Sequence, residues 1–577
     1  MRLIPKPLSK AIKLYYLNLD KSQRCRIVLL VLLSLFAAIL ESISIVLTIP
    51  LLSTFLGERT LEDITAVAHI IIALGLTGPQ FLACTWFSAI LLAGFTRIIF
   101  TRETSRTCAL VTSSLAYRIF GSSLTRDFLF YKINNSSDLK SDLTNRVDEL
   151  SQFSFFLIQL SSSISSASIL FLAVFIADPQ ASLLAMSFAL AFYIIIVMFS
   201  NKSFVLSSTA ISQLYEQRMR ILGEAYSAIT EIMIYSNHSY FTDRYYKIES
   251  KLKYLQFRNK FRSTVPRYLL ELLLYVVIFV VGVFQYKNSG ISSFLTTILF
   301  LALALQKIIP QFQSVYNSFS VLLSFTSSVT AILQSIKCTK DYSLQPSAAP
   351  RLANPKIVLN DISYNYPNTN ISAVLNLSYT FQHGSKVCLI GPSGSGKTTL
   401  LSLILGLLPP TSGFVQLNED DKLLLCSAGN TIEYRSYFSY VPQTTHFSDT
   451  SILDNILDGQ PYDYDRLVHC CKIAECYDFI DDLSCKFNTS MGESGALLSG
   501  GQLQRIAVSR ALYRSKPILI LDESLSAVDH ETAMRITSNI IQSQTNSTVI
   551  LVTHDTLIPG LFSEVLRLKQ NTHYKVI

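Results

Sequence analysis

Charge is what this chain holds least of. Only 15% of its 577 residues are Asp, Glu, Lys or Arg, against roughly 25% in an ordinary soluble protein. So few charges cannot cover the surface of a soluble chain this long. The hydrophobic share, 50%, excludes a disordered chain too polar to bury a core. With 21 glycines and 18 prolines, a collagen repeat is excluded too. Ten cysteines are scattered and seven of them lie beyond residue 337, with no CxxC pair. That excludes a small disulfide scaffold and argues against a metal ribbon; the thiols read as reduced and cytosolic. What remains is a membrane protein, with length for two to four domains.

Apolar runs of bilayer-spanning length follow in order. The first is Ile27–Leu40, continuing through Glu41 toward Leu56; it is too long for a signal peptide. Phe81–Phe100, Phe153–Ala177, Ala181–Ser200, Val265–Tyr286 and Ile291–Ile309 each approach the roughly 20 residues that cross a bilayer. About six transmembrane helices are predicted. Ile64–Leu76 is shorter and reads as lying at the outer surface.

Basic residues set the orientation. Seven precede the first span, eight lie from Arg97 to Arg146, and eleven from Lys202 to Arg267. The remaining short connections carry only Arg59 and Lys287. The N-terminus, both long loops and the C-terminus are therefore expected in the cytosol. Residues 205–262 have helical periodicity and read as extensions of the spans, with Phe128–Leu139 and Gly223–Glu231 as docking tips. The net charge of +8 divides accordingly. Residues 1–340 carry +13 and residues 341–577 carry −5. The excess is a basic collar beside anionic lipid, not a nucleic-acid signature.

The domains are read as 1–340, transmembrane; 341–355, a Pro- and Ala-rich linker; and 356–577, a cytosolic α/β domain. In the last, short β-branched runs (Val387–Ile390, Ile518–Leu521, Thr548–Val552) alternate with helical segments, the pattern of a partly parallel sheet.

Gly391-Pro-Ser393-Gly394-Ser395-Gly396-Lys397-Thr398 matches G-x-x-x-x-G-K-[ST] between a strand and a helix. Its glycines let backbone N–H groups converge on phosphate oxygens at a helix N-terminus. Lys397 is expected at the β- and γ-phosphates, Thr398 at Mg²⁺, and Thr399 beside them. Ile518-Leu-Ile-Leu-Asp522-Glu523 is an apolar strand delivering two acids to its C-terminal edge. Asp522 suits the Mg²⁺ shell and Glu523 the polarisation of an attacking water.

Leu498-Ser499-Gly500-Gly501-Gln502 resembles the signature of ATP-binding-cassette proteins. The resemblance implies that this sequence opens a helix whose Ser and Gly amides face the γ-phosphate held by a second subunit. It extends over residues 356–555. Tyr366 resembles the aromatic that stacks on adenine. Gln443 resembles the Q-loop residue that touches Mg²⁺ and the membrane domain. Ser526-Ala-Val-Asp529 resembles the D-loop, with Val528 in place of the usual Leu. His554 resembles the switch histidine. Tyr364 and His446 are read as structural. The catalytic set is thus Glu523, His554, Gln443 and Lys397; the metal set is Thr398, Gln443 and Asp522.

Six helices followed by one cassette resemble a half-size exporter of type I (type IV) architecture. This implies a dimer, either a homodimer or one with a related half-transporter, using ATP and Mg²⁺ in a bacterial inner membrane. Three stretches, Leu40–Pro50, Val265–Glu271 and Leu303–Pro310, resemble bacterial flippases for lipid-linked oligosaccharides. That resemblance implies an ATP-driven flippase whose cations Arg97, Arg267 and Lys307 hold a pyrophosphate head group, with Glu41 and Glu271 as partners. Intramembrane charges are functional by default. Lys307 stands where these flippases carry an arginine, and no arginine occurs near Ser314. The alternatives are export of another lipid, a drug or a peptide, and an ATP-gated regulatory protein. A peptide exporter with an N-terminal protease is not expected, since 26 residues precede the first span.

Overall fold

The computed structural model describes residues 5–47, 79–133, 140, 143–177, 204–337, 352–367, 372–420, 422–426, 431–554, 558–568 and 574–576. The expected span Ala181–Ser200, the stretch Ile64–Leu76 and most of the linker lie outside them. The chain divides into two units. One comprises Met1–Arg126 and Phe130–Tyr342; the other comprises Asp127–Leu129 and Ser343–Ile577.

The first unit is helical. Its helices are Lys6–Asn18, Lys21–Val46, Pro79–Leu124, Asn145–Ala177, 204–227, Ile229–Tyr235 and the run His238–Lys337, while the short helix Phe128–Ile133 is divided between the two units. Four stretches of the described residues are long and apolar enough to cross a membrane: Lys21–Ser44, Ala83–Leu124, Asn145–Ile176 and Gln306–Ile336. They turn large apolar side chains outward, Leu29, Leu32, Phe95 and Ile98 among them, as a lipid-facing surface does. The first helix is amphipathic. It buries Leu8, Ala11, Leu14 and Tyr15 among Leu115, Leu150, Phe153 and Leu322.

The run His238–Lys337 spans 100 residues of helical backbone, with Pro266 and Pro310 inside it. It is not one rod. Gln313 Nε2 donates to the Ser263 carbonyl at 3.0 Å, and Tyr316 OH to that of Arg262 at 3.3 Å. A straight helix would separate residues 50 apart by roughly 75 Å. The run therefore doubles back between Ser263 and Gln313, as the two expected spans there require.

The second unit is α/β. Strands β1 (Lys356–Asn365), β2 (Ser372–Phe381), β4 (Ser412–Glu419) and β5 (Lys422–Leu425) form an antiparallel sheet in the order β2-β1-β4-β5. The strands of the second sheet are β3 (Lys386–Ile390), β6 (Phe438–Val441), β7 (Ile518–Asp522), β8 (Thr548–Val552), β9 (Glu564–Leu568) and β10 (Tyr574–Val576). Their order is β10-β9-β3-β8-β7-β6. All pair in parallel except β10 with β9. β7 and β8 are buried along their whole length, so they are apolar throughout and not alternating. Helix Gly500–Arg514 packs on one face through Ile506, Val508 and Leu512. Helix Lys397–Ile404 covers the other through Leu400, Leu403 and Ile404, and Phe128 and Leu129 join that cluster partly buried.

Candidate functional site

Four parallel strands end at one edge of the larger sheet. The glycine loop follows β3, Gln443 follows β6, Asp522 closes β7 and His554 follows β8. Crevices at this edge are where open α/β sheets bind ligands.

The loop admits little but its own residues. Gly396 caps helix Lys397–Ile404 with φ 87°, and a Cβ there would sit 2.3 Å from the Ala373 carbonyl oxygen. Lys397 is buried, and its Nζ donates to the carbonyls of Gly391 at 2.8 Å and Pro392 at 3.1 Å. Ser395 Oγ is buried with no hydrogen-bond partner among the described residues. Ser393, Gly394 and Thr398 are exposed. An orphan hydroxyl, a folded-in ammonium and a helix N-terminus together fit phosphate oxygens. Thr399 Oγ1 lies 3.1 Å from the hydroxyl of half-buried Tyr366, which stands edge-on to Tyr364 at 5.1 Å. Tyr364 itself is a core residue.

Asp522 is buried at 4% exposure and accepts a hydrogen bond from Tyr440 OH at 3.2 Å. Burial holds its carboxyl above the ordinary range, Tyr440 and Lys397 pull it back, and neighbouring Glu523 pushes it up. Such a carboxylate gains from an arriving cation. Among the described residues no three His, Cys, Asp or Glu converge. Mg²⁺ bound with phosphates needs only one or two carboxylates, so Asp522 and Thr398 fit it.

Glu523 has φ 47°, a left-handed backbone unusual outside glycine. Its Oε2 accepts from Gln443 Nε2 at 2.7 Å, and its Oε1 lies 2.8 Å from His554 Nε2. Residues from three strand ends thus meet on one carboxylate. Beside it lies a cavity of about 290 Å³, lined by Glu523, Ser526, Val528, His530 and His554.

Ser499 caps helix Gly500–Arg514 through a reciprocal box. Its Oγ accepts from Gln502 N at 3.3 Å, and Gln502 Oε1 accepts from Ser499 N at 2.9 Å. That leaves the first-turn N–H groups of Gly500 and Gly501 as donors. A Cβ on Gly501 would stand 3.0 Å from the Ala527 carbonyl. Gln504 bonds Ser526 Oγ at 3.2 Å and Ala527 N at 2.8 Å, so helix start and turn are held as one piece. Asp529 caps helix His530–Ser543 by accepting from Thr532 N at 2.9 Å, which holds its carboxyl below the usual range. Tyr440 and Gln504 escaped the sequence reading, because each acts through a partner distant in sequence.

In the first unit Arg97 NH1 pairs with Glu41 Oε1 at 2.8 Å, with side chains 56% and 12% exposed. Both line a cavity of about 200 Å³ with Gln159, Ser162, Ser166 and Gln311. Arg267 Nε donates to Glu271 Oε1 at 2.8 Å, one turn along its own helix. Arg267 and Lys307 are exposed and do not line that cavity. Ser314 lies 2.6 Å from Ser163 Oγ and accepts from Gln159 at 3.1 Å. Of the expected docking tips, Phe128 and Leu129 pack partly buried against the second unit's core, residues 134–139 lie outside the described residues, and Gly223–Glu231 is helical on both sides of a one-residue break at Ala228, exposing Tyr226 and Ile229.

Residues 374–526 match the family model described as ABC transporter, and residues 27–309 match that described as ABC transporter transmembrane region. The human ATP-binding cassette sub-family B member 5 is 36% identical over 207 residues, 36% of this chain and 16% of that protein. The beta-(1→2)glucan export ATP-binding/permease protein NdvA of Bartonella bacilliformis is 33% identical over 244 residues, 41% of this chain and 40% of that one. The ATP-dependent lipid A-core flippase of Salmonella typhimurium is 27% identical over 332 residues, 56% and 55% of the two chains. The chain thus spans about half or less of the length of the curated relatives it matches. In fold it is similar to a bacterial Atm1-family ABC exporter with ATP bound, at a TM-score of 0.78 and 18% identity, over 96% of both chains.

Proposed function

The chain belongs to the ABC transporters, with a transmembrane region and an ATP-binding domain in a half-size exporter fold, and from that premise we propose that it is an ATP-driven flippase of a lipid-linked oligosaccharide. It works as a dimer in a bacterial inner membrane, with both termini in the cytosol.

The observation that carries the ATPase reading is the meeting of Gln443, Glu523 and His554 on one carboxylate. Glu523 takes the role of base, and Gln443 and His554 fix its direction. Lys397 and the loop amides hold the phosphates, and Tyr366 stacks on the base. Asp522 and Thr398 would hold Mg²⁺, which neutralises phosphate charge when bound. Ser499, Gly500, Gly501 and Gln502 of one copy complete the site of the other, with Asp529 holding the adjoining turn. A regulatory protein that only senses ATP has no need of an aligned base, so that reading is disfavoured.

For the substrate, the support is the polar cavity holding Glu41 and Arg97 inside apolar helices. An ion pair there leaves Arg97 more than half exposed, able to exchange Glu41 for an anionic head group. Arg267 and Lys307 serve as further cations along the path. One relative flips lipid A-core and another exports a glucan, which supports a lipid- or sugar-bearing cargo and leaves export of another lipid as the second reading.

Glu523→Gln should lower ATP hydrolysis by at least about 100-fold, the scale of general-base catalysis, while MgATP binding persists. Persistent hydrolysis would remove Glu523 from the base role. In proteoliposomes, Arg97→Ala should impair flipping of a pyrophosphate-linked glycan more than hydrolysis; equal loss of both, or of neither, rejects the head-group role.

A further inference from the structure

Glu523, the proposed base, stands on a backbone that needs holding. Its φ of 47° is left-handed, a conformation that residues other than glycine keep only where their surroundings fix it. On one side the fixing comes from the sheet: Glu523 N donates to the Val552 carbonyl of β8 at 3.1 Å. On the other side the chain enters a turn. Ser526 N donates to the Glu523 carbonyl at 3.3 Å, and Val528 N to that of Leu525 at 3.2 Å. Beyond the turn, Asp529 caps the next helix. Within it, Ser526 and Ala527 are exposed, so the core does not hold them.

Gln504 does. Its carboxamide is used at both ends: Nε2 donates to Ser526 Oγ at 3.2 Å, and Oε1 accepts from Ala527 N at 2.8 Å. Its own footing is firm. It projects from helix Gly500–Arg514, whose Ile506, Val508 and Leu512 are buried in the core. The next residue, Arg505, donates through NH1 to the Glu475 carbonyl at 2.9 Å, which ties the same helical turn to the layer beside it. Ser526 and Val528 also line the cavity beside Glu523 and His554. A displaced turn would therefore move the wall of the site together with the backbone of its base.

The carboxamide's chemistry separates two roles. Packing needs only a side chain of that size. Positioning needs an acceptor for Ala527 N and a group that meets the Ser526 hydroxyl. Glutamate keeps both, because a hydroxyl can turn and donate. Leucine keeps neither.

We propose that Gln504 is a positioning residue for ATP hydrolysis: it holds the turn after β7 so that Glu523 faces the attacking water. The proposal rests on the reading of Glu523 as the base.

The test uses the full-length transporter in lipid nanodiscs, with steady-state ATPase rates and binding of a fluorescent ATP analogue measured side by side. Gln504→Leu should lower kcat at least about tenfold, the scale of a misaligned catalytic group. Its nucleotide Kd should stay within about twofold, since no phosphate-loop contact changes and the loss falls on the transition state. Gln504→Glu should bring kcat back to within about threefold of the unaltered protein, the worth of one imperfect hydrogen bond. Ser526→Ala, which trims an exposed side chain, should lower kcat by about threefold. Added to Gln504→Leu it should change nothing further, because the bond it removes is already gone. An unaltered kcat in Gln504→Leu, an equal loss in the leucine and glutamate variants, or a Kd that weakens in step with kcat overturns the proposal. Should Gln504→Leu fail to fold, Ser526→Ala decides, and an unaltered kcat there overturns it. Glu523→Gln separates the two claims. Persistent hydrolysis in that variant overturns the base reading and this proposal with it. Lost hydrolysis there, beside an unaltered rate in Gln504→Leu, overturns this proposal alone.

Discussion

Replacing Tyr440 by Phe removes one hydroxyl and leaves the ring. That hydroxyl donates to buried Asp522 at 3.2 Å and pulls its raised carboxyl back down. A hydrogen bond to a charged group is worth about 1.5–3 kcal/mol, and this one is long, so about 1.5 applies. One pKa unit corresponds to about 1.36 kcal/mol. The substitution should therefore raise the Asp522 pKa further. In the proposed site Mg²⁺ and the proton compete for that carboxylate. Below both pKa values the variant should need about tenfold more Mg²⁺ for half-maximal nucleotide binding. Well above them the carboxylate is ionised in either protein, and the Mg²⁺ requirement should coincide. The assay is Mg²⁺ titration of fluorescent ATP-analogue binding across pH. A Tyr440→Phe deficit of the same size at every pH would refute the reasoning, because simple misfolding or lost packing gives that result.

Three other outcomes follow from described geometry. Gly396→Ala must adopt a left-handed backbone, costing about 1–2 kcal/mol, and also relieve the 2.3 Å approach to Ala373 O. Nucleotide affinity should fall by at least about tenfold on that scale, read by the same titration; unchanged affinity would dismiss the steric argument. Arg97→Ala strands Glu41, 12% exposed, and should destabilise the folded transporter by about 1–3 kcal/mol. The double substitution Arg97→Ala with Glu41→Ala should recover part of the lost melting temperature, and a double variant worse than the single would dissolve the pair's importance. Since the Asp522 carboxyl is raised, the nucleotide-free fold binds a proton there and loses that contribution as pH rises through the raised value. MgATP binding at mildly acidic pH should then release protons, seen as buffer-dependent calorimetric enthalpy, and Asp522→Asn should abolish the release.

Much of the second unit is legible from local sequence because its physics is local. The runs at β3, β7 and β8 are apolar and β-branched because both faces are covered, and the glycine loop sits between a strand and a helix as its backbone requires. The apolar spans are legible from length alone. What is not legible is pairing across distance. Nothing near Glu41 announces Arg97, 56 positions on, and nothing near Asp522 announces Tyr440. The signature serine illustrates the middle ground. Its place before a helix follows from Ser499 and Gln502 three residues apart, the spacing of a capping box, whereas its approach to the turn at Ala527 needs the fold. The doubled-back run His238–Lys337 shows the converse: its backbone reads as unbroken helix, and the two apolar stretches in the sequence foretell the reversal.

Gln443 departs from a strand unlike the others at this edge. β6 has four residues and, among the described residues, pairs only with β7, whereas β3, β7 and β8 are flanked on both sides. Margins of a sheet open at lower free energy than its centre. The two partners of Glu523 thus hang from different places: His554 follows a central strand of the sheet, Gln443 its edge strand. A disturbance that reaches the sheet from its margin is therefore expected to part Gln443 from Glu523 before it parts His554.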